Sequence, residues 1–167
     1  MNKQYSKPIA SGQRGATIVE LAIILPLLVI LLFGFIELGR ALYQTNTLTK
    51  AVTVGARYLA RAPGAVTTDC EEGLEWPANK AQAKTLVVYA SDDDTGPPIL
   101  PGLDAGAITF AVAPVSAGSG SGAVTACVIT VQASSEFAAI FGDSIVPMLN
   151  LGPIELNAAV EERYIGD

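Results

Sequence analysis

The chain contains no histidine. That absence removes Ser-His-Asp and Cys-His catalysis and every histidine-containing metal site. Charge is scarce too. Asp, Glu, Lys and Arg make up 16% of the 167 residues, hydrophobic residues make up 50%, and acid exceeds base for a formal net charge of −6. An acidic surface repels phosphate backbones, so nucleic acid is not an expected partner. Cysteine is limited to Cys70 and Cys127. An even count suits a disulfide if the segment lies outside the cytoplasm; the alternative is two small buried apolar residues. The Gly/Ser stretch Ser116 to Gly122 has no lysine and lacks the spacing of a phosphate-binding loop, so it reads as a flexible hairpin turn. Glu71-Glu72 and Glu161-Glu162 read as solvated surface, and Asp92-Asp93-Asp94, weighed as a calcium site, reads as a water-facing turn. No enzymatic activity, metal or cofactor is expected.

What the chain does have is one dense apolar block, Ala16 to Ile36. As a helix this block spans roughly 31 Å, the thickness of a bilayer core. Before it stand Lys3, Lys7 and Arg14 and no acid, which favours a cytoplasmic N-terminus. The block is too long for a secretory signal and has no small-x-small cleavage site after it, so it should remain on the mature protein. Without residues 1–15 the chain keeps 7 basic and 16 acidic residues, a balance of −9.

The helix is predicted to continue past the membrane. Leu38, Ala41, Leu42, Thr45, Leu48, Val52, Gly55, Ala56 and Leu59 recur at three- and four-residue steps until Pro63-Gly64. Ala16 to Arg61 would then be one helix of about 69 Å, apolar all round at first and amphipathic later. Pro77 opens a second helix running to about Ala90. Alternation at Ile108, Phe110 and Val112, at Cys127, Ile129, Val131 and Ala133, and at Ile154, Leu156, Ala158 and Val160 predicts three half-buried strands. Asp143 to Pro153 reads as irregular. The expected fold is therefore α+β: a long N-terminal membrane-spanning helix continuing into a small domain with a second helix and a roughly three-stranded antiparallel sheet. The expected divisions are a leader 1–15, a transmembrane segment 16–36, an amphipathic continuation 37–62 and an exported globular domain 63–167. Gly34, Gly39, Ala51 and Gly55 permit close helix approach, with Ala51 and Gly55 expected to pack on the protein's own sheet.

The most informative spacing is Arg14-Gly15-Ala16 followed by Glu20. A basic leader meets a single glycine at the membrane edge, and an acid follows inside an apolar run. A glutamate there is costly and needs a reason. Cleavage after Gly15 supplies one, because it would create an α-ammonium on Ala16 about 6 Å along the helix from Glu20. The bland alternative is a bitopic helix whose glutamate snorkels to the interface.

These residues, with Val19-Glu20-Leu21, Leu25-Pro26-Leu27, Phe33-Gly34, Glu37-Leu38-Gly39-Arg40 and Gly55-Ala56-Arg57, resemble the TadE-like family of the tight-adherence (Tad/Flp) pilus systems. The likeness is dense from about residue 14 to 61. It continues thinly through Ala83 to Tyr89 and Leu100 to Leu103. It implies a minor pseudopilin, cut by a prepilin peptidase between Gly15 and Ala16, that helps assemble Flp pili for surface adherence. It implies as partners other pilins and pseudopilins, the peptidase, the inner-membrane assembly platform and the lipid bilayer. Glu20 and Pro26 would serve subunit assembly, with Pro26 marking either a stretch that melts on assembly or a simple kink. An uncleaved bitopic scaffold of the same system is the competing expectation.

Overall fold

A computed structural model describes residues 13–117, 124–140 and 153–166. The predicted leader up to residue 12, the core of the Gly/Ser hairpin turn and most of the irregular stretch from Asp143 lie outside them. The architecture is the expected α+β one. Helix α1 (Gln13–Arg61) is followed by α2 (Trp76–Tyr89), a single 3-10 turn (Ala105–Ala107) and strands β1 (Ile108–Ala117), β2 (Val124–Glu136) and β3 (Glu155–Arg163). The three strands form one antiparallel sheet in the order β1-β2-β3.

Local chemistry sets the element ends. Helix α1 stops where Pro63 and Gly64 follow, with Gly64 at φ 67°. Helix α2 has Pro77 in its first turn, where a missing N–H costs nothing. It closes on Ala90 in the left-handed region, whose N–H donates to Leu86 O at 3.0 Å. Asp104 Oδ1 accepts from Gly106 N–H at 2.6 Å and Ala107 N–H at 3.1 Å, which caps the 3-10 turn and launches β1.

The second half of α1 lies on one face of the sheet. Leu48, Val52, Ala56 and Leu59 pack with Ile129, Val131, Leu156 and Ala158 in one core, which also takes in Trp76, Ala83, Val87 and Val88 from α2. Strand alternation follows the expectation: Leu156 and Ala158 are buried while Glu155, Asn157 and Glu161 face out. The chain end is bound back onto α1, with Ile165 N–H donating to Ala60 O at 2.8 Å and Tyr164 Oη–H to Ala62 O at 3.0 Å.

Two expectations need correction. Leu38 and Leu42 are not on the packed face of α1; they are 45% and 64% exposed. The buried stripe runs back from Leu48 through Gln44, Ala41 and Glu37, because helix periodicity fixes the face and the polar members find partners there. Gly55 meets α2 and not the sheet: a Cβ on it would stand 2.5 Å from Val87 Cγ2 and 3.3 Å from Ala83 O.

Candidate functional site: the long helix and its junction with the sheet

Gly15, Ala16, Glu20 and Pro26 all lie on the exposed first part of α1. Between Ile18 and Leu32 every large apolar side chain except half-buried Ile30 is exposed, and α1 is long and apolar enough to cross a membrane. This points to a single-pass membrane protein. Nothing crowds Gly15; a Cβ there would meet open space. Among the described residues α1 is helical from Gln13 onward, so the Gly15–Ala16 bond is in helical conformation. Glu20 is exposed one turn beyond Ala16 and forms no ion pair among the described residues. Pro26 lies within α1 without interrupting it.

A second carboxylate follows the apolar run directly; the sequence names it only as part of the Glu37-Leu38-Gly39-Arg40 resemblance and assigns it no role. Glu37 is 0% exposed. Its Oε1 accepts the Ile140 N–H at 2.7 Å, and its Oε2 pairs with Arg40 Nη1 at 3.2 Å. Gln44, one face-repeat above, directs Nε2 at Ala138 O at 3.5 Å. The Arg40 guanidinium lies 6.0 Å from the Phe137 ring centroid. A buried carboxylate persists only where hydrogen bonds and an opposite charge replace its water, and this arrangement supplies both. The i, i+3 spacing of Glu37 and Arg40 was the available signal; their remote partners had none.

Cys70 and Cys127 are joined as a disulfide, with Cα atoms 5.1 Å apart. The bridge ties the loop after α1 to β2, far along α1 from Gly15. Thr67 shapes that loop: its N–H donates to Glu71 O at 2.9 Å and its carbonyl accepts the Cys70 N–H at 3.0 Å.

Among the described residues the remaining carboxylates do not converge on a reactive centre. Glu162 Oε1 pairs with Arg57 Nε at 3.2 Å, joining β3 to α1. Glu71 and Glu72 are exposed. In the acidic turn, Thr95 Oγ1 and Ser91 Oγ both donate to Asp93 Oδ1, at 2.9 and 3.2 Å. Thr95 first and Ser91 second hold the Asp93 carboxyl below its usual range. Among the described residues no group of three or more His, Cys, Asp or Glu side chains could hold a metal ion.

Comparison with known proteins fits the N-terminal part of this arrangement. Residues 15–57 match the family model described as TadE-like protein, about a quarter of the chain. This is the family that the sequence resembles, and the match suggests involvement in Tad pilus systems. It is not a known enzyme family. The match begins at Gly15 and includes Glu20, Pro26, Glu37 and Arg40. No curated protein and no solved structure matches the chain.

Proposed function

We propose that this chain is a minor pseudopilin that takes part in assembling Tad/Flp-type pili for surface adherence. It sits in the bacterial inner membrane with a cytoplasmic N-terminus and an exported α+β domain. A prepilin peptidase removes the leader after Gly15. Its partners are other pilins and pseudopilins and the membrane assembly platform. The observation that carries this reading is the single helix α1, with the Gly15-Ala16 pair at its start, Glu20 exposed one turn later and the folded domain on its far half. Cleavage would leave the Ala16 ammonium and the Glu20 carboxylate on one apolar helix. Both would be desolvated when the helix leaves lipid for a packed fibre. Pairing Glu20 with the Ala16 amine of an adjacent subunit relieves both and sets axial register.

The second reading is an uncleaved bitopic scaffold of the same system. It is favoured by the helical conformation of the Gly15–Ala16 bond, since a peptidase needs that turn unwound. Intact-mass measurement or N-terminal sequencing of protein from its native host separates the two. A start at Ala16 supports the pseudopilin. A native protein retaining Met1 to Gly15 selects the scaffold.

A further inference from the structure

We infer that the segment Phe137–Ile140, which leaves the end of β2, rests in the bilayer surface beside α1. The folded domain would then touch the same membrane that its helix crosses. This rests on α1 being a membrane span and not on the pilus reading.

The path of the segment is fixed by its hydrogen bonds. Phe137 N–H donates to Ile154 O at 2.8 Å, which closes the end of the sheet. Ala138 O faces Gln44 on α1, and two residues later Ile140 N–H reaches Glu37. The segment therefore descends along the helix toward the apolar run. Glu37 directly follows Ile36, the last residue of that run. Side chains on a helix lean toward its N-terminus, which here means toward the lipid. The Glu37 carboxylate, and with it the Ile140 backbone, thus lies level with the turn Phe33–Ile36. Phe33 and Gly34 are half-buried, whereas Phe35 and Ile36 are 69% and 43% exposed.

The chemistry of the segment suits lipid. Phe-Ala-Ala-Ile carries no charge; Phe137 anchors it in the core, Ala138 and Ala139 are half-buried, and Ile140 is 61% exposed at a height where α1 meets hydrocarbon. Glu37 presents no charge outward, because it is fully buried and paired with Arg40. Arg40 is partly exposed at the same junction, where a cation meets lipid phosphates. Glu37 thereby acts as a positioning residue that sets the height of the domain on the bilayer.

The test uses the full chain in vesicles of phosphatidylethanolamine and phosphatidylglycerol. A nitroxide is attached to Ile140→Cys, with Leu28→Cys as a lipid reference and Ala111→Cys, on the exposed sheet face, as a water reference. One label per chain shows that the native disulfide is intact, and the fluorescence of buried Trp76 shows that the domain is folded. The ratio of collisions with oxygen to collisions with a water-soluble nickel chelate should be severalfold higher at Ile140 than at Ala111. It should approach the value at Leu28. Adding Glu37→Ala should move the Ile140 ratio toward water. A ratio at Ile140 equal to that at Ala111 overturns the inference. So does screening from both reagents, which would mean cover by protein, such as a second copy. An Ile140 ratio unmoved by Glu37→Ala overturns the positioning role.

Discussion

Gly39 and Gly55 lie on the same helix and should respond to alanine in opposite directions. In a helix interior, alanine gains about 1 kcal/mol over glycine. At Gly39 a Cβ meets nothing within 4 Å, so only that gain operates and Gly39→Ala is neutral to slightly stabilising. At Gly55 the new Cβ would lie 2.5 Å from Val87 Cγ2 and 3.3 Å from the Ala83 carbonyl oxygen. Carbon atoms pack at about 3.5–4 Å, so α1 and α2 must part or Val87 must leave its rotamer. Overpacking of this kind costs about 1–3 kcal/mol, which exceeds the propensity gain and leaves a net loss of about 1 kcal/mol. The propensity gain is common to both sites, so the two variants should differ by the overpacking cost alone, about 1–3 kcal/mol. Trp76 is the reporter: it is 1% exposed, opens α2, and meets Phe110 edge-on at 6.5 Å between ring centroids. Equilibrium unfolding of the detergent-solubilised protein, followed by Trp76 fluorescence, gives the comparison. Val87→Ala, which removes the colliding methyl, should restore part of the loss, with a coupling of about 0.5 kcal/mol or more in a double-mutant cycle. If Gly55→Ala proves as stable as Gly39→Ala, close approach of α1 and α2 does not constrain residue 55.

Removing the Cys70–Cys127 bridge, at a sequence separation of 57, should destabilise the domain by up to about 4 kcal/mol by the chain-entropy argument, read from the denaturant midpoint. In a Cys127→Ala background, Cys70→Gly should lose about 1 kcal/mol less than Cys70→Ala, because residue 70 sits at φ 61°. Glu20→Leu should still insert and be cut after Gly15 but fail to enter fibres, with Glu20→Asp intermediate; normal assembly by Glu20→Leu in a host lacking the wild-type copy would refute the pairing mechanism. For Asp93, whose folded pKa is lowered from 3.8, the stabilising contribution is present above that unfolded value and is lost as pH falls through the lower folded one. Carboxyl titration by NMR should show Thr95→Val moving Asp93 back up toward 3.8.

The strands were legible because each buries one face only, and period-2 alternation writes that directly into the residues. Ile129, Val131 and Ala133 face the core, and Thr130 and Gln132 do not. Both helices were legible from their run lengths and from Pro63, Gly64 and Pro77. The packed face of α1 was less so. Apolarity favoured Leu38 and Leu42, whereas geometry propagated from Leu48 selects Gln44, Ala41 and Glu37. What makes polar residues acceptable there are the backbone groups of Ala138 and Ile140, which come from the far end of the chain. No local pattern carries such a contact.

The two glutamates of α1, Glu20 inside the apolar run and Glu37 just after it, show where that limit falls. Each is expensive near lipid and each therefore demands a partner. Glu37 obtains its partners within the chain: the Ile140 N–H and the Arg40 guanidinium. Glu20, on the bared part of α1, has no ion pair among the described residues, and the folded domain lies at the opposite half of the helix. A carboxylate with no ion pair among the described residues of its own chain is open to a partner that is made or brought. Proteolysis after Gly15 would make it, as the Ala16 ammonium, and a neighbouring subunit would bring it. The contrast also predicts which loss is felt where. Losing Glu37 should loosen the junction between helix and domain inside one subunit, whereas losing Glu20 should leave the subunit folded and impair only its joining to others.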